Sequence, residues 1–171
     1  MNMKPTTKPT KLEQTWLHEA LIITPMRAQS QAEAITQLGG RLQDGGFVKD
    51  TWVQAALERE QIFATGLPTP EFGVAIPHAD VDHVLRQALA IGVLKQPVMF
   101  GEMGSPDRLV PVRIVCALAT ARSELMVSLL QQLVGLFQNP DLLRQIVAAQ
   151  SPAEIVEIFE QQIRFSKETS S

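Results

Sequence analysis

The chain has 171 residues, of which 45% are hydrophobic and 19% charged, and its formal net charge at pH 7 is −3. This length is enough for one domain with a full hydrophobic core and too short for two domains with a linker. The composition excludes wholesale disorder, and the absence of Lys/Arg runs excludes the basic surface of a nucleic-acid binding protein. We therefore predict a single core and no nucleic-acid partner.

Cysteine usage and the chain ends indicate the compartment. The single cysteine, Cys116, lies in an apolar segment, as expected for a buried thiol in a reducing compartment. The sequence has no stretch of about 18 apolar residues and no signal-peptide pattern, so we predict a cytoplasmic protein without direct membrane insertion. The polar ends predict flexible tails at residues 1–18 and 166–171 around one domain at 19–165.

The first third of the chain predicts a strand followed by two helices. Residues 21–23 form an apolar run closed by a Thr-Pro pair, which favours a strand. Ser30 and Glu33 have the spacing of a capping box, and the helix that they begin should end at Gly45. Asp50 is the predicted cap of the second helix. The predicted apolar stripe of that helix consists of Trp52, Ala56, Ile62 and Phe63.

The rest of the chain predicts more strands and three closing helices. Residues 73–76 end at Pro77 and indicate a strand that leads out of a sheet. The nearly continuous apolar runs 88–94 and 110–119 are typical of strands covered on both faces. A helical period begins at Ser123. Two further helices are predicted from Asn139 before Pro140 and from Ser151 before Pro152 with Glu154.

Segments with strand and helix periods alternate along the chain without an internal repeat. We therefore predict a single layered α/β domain with a mixed β-sheet of about five strands, flanked by helices on both faces. The order of the strands in that sheet does not follow from the sequence.

Two of the three histidines form the densest group of chemically active side chains. His78 follows a predicted strand and a proline, so its ring should lie at the rim of the sheet, where α/β domains usually hold their sites. A histidine of ordinary pKa is mostly neutral at pH 7, and its free ring nitrogen can attack phosphorus without a separate base. A turn histidine without a catalytic task is the plain alternative.

The same segment also suggests a metal site. Residues 78–83 resemble the His-x-His-x-Asp-His element of metallo-β-lactamase-type hydrolases, with imidazole and carboxylate ligands close together. Asp80 stands where that element has a histidine, and only His18, before the first strand, remains as a further imidazole. The chain has no Gly-x-Ser-x-Gly element and no Gly-rich phosphate loop, so serine hydrolase and P-loop chemistry are not indicated.

A family resemblance rests on Asp-Thr-Trp at 50–52, Glu-Arg-Glu at 58–60, Ala-Thr-Gly at 64–66 and Gly-Val-Ala-Ile-Pro-His-Ala at 73–79. With the segments 137–141 and 151–155, it covers about residues 19–165. The chain resembles the fructose/mannitol-type enzyme IIA domains (IIA type 2) of the phosphoenolpyruvate-dependent sugar phosphotransferase system. It is most similar to galactitol-type members, which share the Asp-Thr-Trp segment and a second histidine five residues after the first.

The resemblance implies a phosphoryl carrier. His78 matches the histidine that accepts a phosphoryl group from the phosphohistidine of the carrier protein HPr and passes it to a sugar-specific IIB component. The IIB component in turn serves a membrane IIC component during uptake of a sugar or sugar alcohol. Arg59 matches the family's arginine near that histidine, and its guanidinium fork suits phosphate oxygens; without the motif it would be an exposed helix charge. The resemblance implies no cofactor and no metal.

Three further residues are candidates for the same site. Glu60 is expected to orient Arg59 and Thr65 to add a hydroxyl to the phosphate pocket, although both also fit plain helix and turn roles. Mannitol-type members have a histidine early in the helix that begins here near Ser123, and this chain has none there. His83 is therefore the candidate for an assisting imidazole, with a surface loop histidine as the alternative. Galactitol-type members also lack the helix histidine.

An apolar docking patch beside His78 and an alternative, regulatory function are also expected. The donor protein must dock briefly beside His78, and an apolar patch is expected there. The predicted contacts are Leu67, Phe72 and Val81, with core packing as the alternative for all three and above all for Phe72. The alternative function is a regulatory IIA-like protein that is phosphorylated on His78 and controls partner proteins without transporting sugar.

Overall fold

The computed structural model describes residues 16–163. The strands within that range are β1 (Ile22–Met26), β2 (Gly66–Leu67), β3 (Gly73–Ala75), β4 (Ala88–Glu102) and β5 (Ser105–Ala119). The α-helices of the described chain are α1 (Gln31–Asp44), α2 (Trp52–Ile62), α3 (Ser123–Phe137), α4 (Pro140–Ala148) and α5 (Pro152–Gln162). Short 3-10 turns at Glu19–Leu21 and Val81–His83 precede β1 and β4.

Polar side chains begin three of the helices, as the sequence predicts. The capping acceptors are Oγ of Ser30 in α1, Oδ1 of Asn139 in α4 and Oγ of Ser151 in α5. The predicted cap at Asp50 is wrong, because Thr51 is the N-cap residue of α2 and its side chain makes no capping hydrogen bond. The Thr51 hydroxyl lies 2.8 Å from Nδ1 of His83, so a contact between distant segments overrides the local signal.

One mixed sheet forms the centre of the domain. β4 and β5 are an antiparallel pair, β1 lies parallel to β4, and β3 lies parallel to β5. β2 is antiparallel to β3 and pairs with the far end of β4, where Gly66 meets Glu102. The mixed sheet of five strands confirms the predicted fold class.

β4 and β5 are longer than predicted, with 15 residues each. Beyond Leu94 the two strands continue as a ribbon that turns at Gly104, whose φ of +82° suits glycine. Buried and exposed residues alternate at 97–100 and 109–112 of this ribbon, whereas the apolar runs that predicted the strands are covered on both faces. Two further strand features were not predicted. β2 has only two residues, too few to show the alternating pattern of a strand, and β1 continues through Pro25 to Met26.

Helices cover both faces of the sheet, as predicted, and create two cores. Ala88 and Ala90 of β4 face α1 and α2. Leu89 and Ile91 face α3, α4 and α5. The period of two along residues 88–91 of β4 thus places small side chains on one face and large ones on the other.

The buried face of α2 follows a four-residue spacing. Trp52, Ala56 and Glu60 are buried, whereas Ile62 and Phe63 are 66% and 60% exposed. The predicted apolar stripe is therefore wrong at Ile62 and Phe63, because the step from Ala56 along one helix face leads to Glu60. A carboxylate thus occupies the last core position of this helix.

The packed chain begins before residue 19. Leu17 is buried, and the Trp16 carbonyl accepts a hydrogen bond from the Leu89 N–H (2.9 Å). Residues 1–15 and the tail 166–171 lie outside the described residues, and the domain boundaries stay predictions. Between residues 16 and 163, no helix is long and apolar enough to span a membrane.

Candidate functional site

His78 lies at the carboxyl end of β3, where the chain leaves the sheet. β3 pairs with β5 up to Ala75, and the Pro77 carbonyl then accepts a hydrogen bond from the Leu118 N–H (3.0 Å). A bridge between His78 and Leu118 continues the parallel pairing. The ring is therefore presented, half-buried, at the sheet rim where the sequence predicts it.

The backbone fixes the tautomer of the His78 ring. Nδ1 of His78 lies 2.8 Å from the carbonyl oxygen of Ile76. Because a carbonyl oxygen only accepts hydrogen bonds, Nδ1 carries the proton in the neutral ring. Nε2 is then left with its lone pair, so it is the ring nitrogen that could act as a nucleophile.

The surroundings of His78 favour its neutral form. Burial lowers the pKa of His78 from its ordinary value of 6.5. The hydrogen bond to the Ile76 carbonyl and the carboxylate of Asp80 raise this pKa, while the guanidinium of Arg59 lowers it. Burial is the largest effect, so the ring is uncharged and nucleophilic at neutral pH.

Arg59 lies in the last turn of α2, where its guanidinium contacts Asp80 and the Phe63 ring. Its Nη1 lies 3.5 Å from Oδ1 of Asp80, and its guanidinium carbon lies 5.2 Å from the centre of the Phe63 ring. Nε of Arg59 is buried and has no hydrogen-bond partner among the described residues. A donor in this state beside a nucleophilic histidine suits an anion that arrives during the reaction.

Glu60 and Thr65 pair with each other. Thr65 donates to the Glu60 carboxylate from its backbone N–H (2.8 Å) and from its hydroxyl (2.9 Å to Oε2). Burial raises the pKa of Glu60, whereas the Thr65 hydrogen bonds and the charge of Arg59 lower it. The geometry thus joins Glu60 to Thr65, while Arg59 is paired with Asp80.

The close approach of β2 to β4 sets the position of Thr65. A Cβ at Gly66 would lie 2.4 Å from the Gly101 carbonyl oxygen, so only glycine lets the two backbones come this near. Thr65 is thereby held against β3, where its hydroxyl accepts a hydrogen bond from the Ile76 N–H (3.1 Å). The Ala-Thr-Gly segment therefore packs beneath the loop that carries His78.

His83 occupies a different place from the other candidates. Its ring is hydrogen-bonded to Thr51, and its carbonyl accepts from the Lys49 N–H (2.9 Å). Thr51 and Arg59 are eight residues apart along α2, about 12 Å at 1.5 Å per residue. The structure thus links His78, Arg59, Glu60 and Thr65, while the His83 ring is bonded to Thr51 at the start of α2 and the His83 backbone N–H donates to the Asp80 carbonyl (3.1 Å).

Sequence reasoning missed three contributors to this site. They are the Ile76 carbonyl, the Asp80 carboxylate as partner of Arg59, and the Phe63 ring. The position of Asp80, two residues after His78, was a signal for the second. Backbone acceptors carry no residue-type signal, so the Ile76 carbonyl had none.

The structure also bears on the predicted docking patch and on the metal interpretation. Leu67 and Phe72, predicted for a docking patch, pack against the core under α3, α4 and α5, and Val81 is only partly exposed. Within residues 16–163, no three His, Cys, Asp or Glu side chains are grouped so that they could hold a metal ion. The segment 78–83 therefore does not form the ligand cluster that the metal interpretation needs.

Comparisons with known proteins identify the family of the chain. The family model described as "Phosphoenolpyruvate-dependent sugar phosphotransferase system, EIIA 2" matches residues 15–162. The galactitol-specific EIIA component of Escherichia coli O6:H1 is 31% identical over 117 residues, which are 68% of this chain and 77% of that protein. The mannitol-specific enzyme IIA component of Staphylococcus aureus is 30% identical over 144 residues, 82% of this chain and 92% of that protein.

A solved structure shows the same fold. The complex of enzyme IIA mannitol and phosphorylated enzyme IIB mannitol from Escherichia coli contains a chain with a TM-score of 0.70 and 26% identity. The match covers 85% of this chain and 97% of that chain. Nearly the whole of the solved chain is therefore matched by the described fold.

Proposed function

The chain belongs to the EIIA 2 family of the phosphoenolpyruvate-dependent sugar phosphotransferase system and is a phosphotransferase of that system, and from this premise we propose that His78 is its phosphoryl acceptor. In this proposal, Nε2 of His78 receives the group from the phosphohistidine of HPr and passes it to a IIB component that serves a membrane IIC component. The observation that carries the proposal is the 2.8 Å contact between Nδ1 and the Ile76 carbonyl, since it leaves Nε2 unprotonated.

The transfer is an in-line displacement at phosphorus. The lone pair of Nε2 forms the new P–N bond, while the P–N bond to the donor imidazole breaks and its electron pair stays on the donor nitrogen. The proton on Nδ1 of His78 remains in its hydrogen bond to the Ile76 carbonyl throughout. No proton has to leave the site, so the chain needs no separate base for this step.

Arg59 supplies the positive charge for the phosphoryl oxygens in this proposal. Its buried and unpartnered Nε offers a hydrogen-bond donor, and its Nη1 is held by Asp80 through a long contact of 3.5 Å. A guanidinium presents several donors in one plane and stabilises charge on phosphate oxygens. The Phe63 ring stacked on the guanidinium limits the positions that Arg59 can adopt.

Ile62 and Phe63 are proposed as the apolar contacts for docking proteins. They are 66% and 60% exposed and lie next to Arg59 at the end of α2. A carrier that docks briefly needs a small apolar patch beside the reacting atoms. The solved relative is a complex with phosphorylated enzyme IIB, which supports a IIB component as one of these partners.

The substrate class of the system is proposed from the relatives. One curated relative is specific for galactitol and the other for mannitol, and both compounds are sugar alcohols. We therefore propose that the system takes up a sugar alcohol. In such a system the membrane component contacts the sugar, and the IIA component does not.

The test is phosphorylation of the purified chain by phosphoenolpyruvate, enzyme I and HPr, followed by intact mass and acid treatment. We expect one acid-labile phosphoryl group in the wild type and none in His78→Ala, which should keep its fold because the site lies on a loop. Wild-type incorporation in His78→Ala would overturn the assignment. Onward transfer to a IIB component supports the transport role, and a stable phosphoprotein that no IIB component discharges supports the regulatory alternative.

A further inference from the structure

We propose that Glu60 and Thr65 are positioning residues, which act on phosphoryl transfer by holding the Ile76 backbone that orients His78. The inference rests on the proposed function of His78. It differs from the expectation that Glu60 orients Arg59 and that Thr65 contacts phosphate. Four groups form one continuous chain of hydrogen bonds, from the Glu60 carboxylate through the Thr65 hydroxyl and the Ile76 backbone to the His78 ring.

The direction of each hydrogen bond follows from the donors and acceptors available. The Thr65 hydroxyl has one proton, which it donates to Oε2 of Glu60 (2.9 Å). A lone pair of the same oxygen therefore faces the Ile76 N–H, which donates to it (3.1 Å). The Ile76 carbonyl then accepts from Nδ1 of His78 (2.8 Å). Because the Ile76 carbonyl can only accept, the chain of hydrogen bonds is consistent with only one tautomer of the His78 ring.

Ile76 is held on both sides, which fixes the direction of its carbonyl. Thr65 holds its N–H, and the following Pro77 restricts Ile76 to an extended backbone. Pro77 is in turn held by the hydrogen bond from the Leu118 N–H to its carbonyl (3.0 Å). The Ile76 carbonyl lies between these two anchors, so its aim at His78 depends on both.

Burial makes the Thr65 anchor hard to replace. Glu60 and Thr65 are each 3% exposed and Ile76 is fully buried, so bulk water does not reach the position of the hydroxyl. Without the Thr65 hydroxyl, the Ile76 N–H would be buried and unpaired, and the backbone would have to move to find an acceptor. Such a movement would turn the carbonyl away from Nδ1.

The consequence for the reaction concerns the proton on the His78 ring. When the carbonyl no longer accepts from Nδ1, the neutral ring is free to adopt the tautomer with the proton on Nε2. That tautomer has no lone pair on Nε2 and cannot attack phosphorus from that atom. Thr65 and Glu60 thus set the fraction of His78 that is ready to react, without touching the phosphoryl group.

The experiment records the tautomer directly in the unphosphorylated full-length protein. Nitrogen-15 NMR of labelled histidine gives the protonation of Nδ1 and Nε2 of His78 in the wild type, Thr65→Ser, Thr65→Val and Glu60→Gln. The serine keeps the hydroxyl and is the matched control for the valine, whereas Glu60→Gln leaves a single oxygen for the two Thr65 donors and tests Glu60 itself. Single-turnover transfer from phosphorylated HPr is measured on the same samples, and circular dichroism confirms that each is folded.

We expect the wild type and Thr65→Ser to show the Nδ1–H tautomer of His78, and Glu60→Gln, which has one oxygen acceptor for the two Thr65 donors, to show a smaller shift toward the mixture. Thr65→Val should show a mixture of both tautomers and a transfer rate about tenfold lower, the size of one lost hydrogen bond. An unchanged tautomer and rate in folded Thr65→Val would overturn the proposal and leave a packing role. If Thr65→Val does not fold, Thr65→Ala removes the hydroxyl without added bulk and has the same expected result.

The NMR spectrum of the wild type alone also tests the predicted tautomer of His78. A dominant Nε2–H tautomer of His78 in the wild type would overturn the proposal without any variant. Suppose that the wild type shows the Nδ1–H tautomer and Thr65→Val shows the mixture, but the wild type accepts no phosphoryl group. This result would contradict the proposed function and not the hydrogen-bond chain. The two failures are therefore distinguishable.

Discussion

Oδ1 of Asp80 lies 3.5 Å from Nη1 of Arg59, and this carboxylate is two residues after His78. Asp80 is 76% exposed, so the pair contributes at most about 1 kcal/mol to the free energy of unfolding. Its charge matters more to the phosphorylated state, because a carboxylate repels phosphoryl oxygens and competes for Arg59. We predict that Asp80→Asn leaves the melting temperature nearly unchanged and shifts the equilibrium with phosphorylated HPr toward the phosphorylated chain by roughly two- to fivefold.

The measurement for Asp80 is the phosphorylated fraction at a fixed ratio of phosphoenolpyruvate to pyruvate. Asp82→Asn is the matched control, since it removes an exposed carboxylate of the same type two residues further along. Equal phosphorylated fractions in Asp80→Asn and Asp82→Asn would contradict a specific effect of the Arg59–Asp80 pair.

Substitution of Arg59 tests the source of positive charge. Arg59→Ala removes the buried Nε donor and the charge beside His78, and we predict a transfer rate about 10- to 100-fold lower without complete loss. Arg59→Lys keeps a charge but not the planar fork, so its rate should lie between those of the wild type and the alanine variant. The rate is measured by rapid-quench transfer from phosphorylated HPr.

The matched control for Arg59 is Arg144→Ala. Arg144 is an arginine of α4 that pairs with Glu71 and Asp141. Its loss should leave the transfer rate unchanged. A similar loss of rate in both alanine variants would indicate a general charge effect and would contradict a specific role for Arg59.

The lowered pKa of His78 predicts how the site responds to acid. Burial makes protonation of His78 harder in the folded chain than in the unfolded chain, where the ordinary value of 6.5 applies. The neutral ring should therefore persist as pH falls from 8 to 6.5, and the NMR titration of His78 should have its midpoint below 6.5. A midpoint at or above 6.5 would exclude burial as the dominant influence on this ring.

The lowered pKa of His78 also makes the stability of the fold depend on pH. Below pH 6.5 the unfolded chain binds the His78 proton more readily than the folded chain, so this residue destabilises the fold as pH falls through 6.5 to the lowered pKa. His78→Gln should lack this contribution. We predict that urea unfolding at pH 7.5 and pH 5.5 shows a larger acid-induced loss in the wild type than in His78→Gln.

The sequence predicts helix starts well where the signal is local. Ser30, Asn139 and Ser151 cap their helices because the acceptor and the N–H groups it serves are within three residues of each other. Asp50 fails because the start of α2 depends on a contact from Thr51 to His83, 32 residues away. No pattern near Asp50 reports that contact.

The same distinction applies to the site. A histidine after a strand and a proline predicts the position of His78 at the sheet rim, and the family resemblance adds Arg59. The predicted apolar stripe of α2 is wrong at its last turn, where Glu60 is buried and Ile62 and Phe63 are exposed. The Glu60 carboxylate is paired by Thr65, a residue outside the helix whose neighbour Gly66 pairs with β4, so no pattern within α2 reports the contact.

The exposed apolar end of α2 gives the last prediction. Ile62 and Phe63 stand out from the helix beside Arg59, and truncating them removes apolar surface from the proposed docking patch. We predict that Ile62→Ser raises the concentration of phosphorylated HPr needed for half-maximal transfer about three- to tenfold, while the rate at saturation stays within about twofold. Phe63→Ser should raise that concentration and also lower the saturated rate, because the Phe63 ring stacks on the Arg59 guanidinium. Steady-state titration with phosphorylated HPr separates the two effects, and an Ile62→Ser protein with wild-type concentration dependence would show that docking uses another surface.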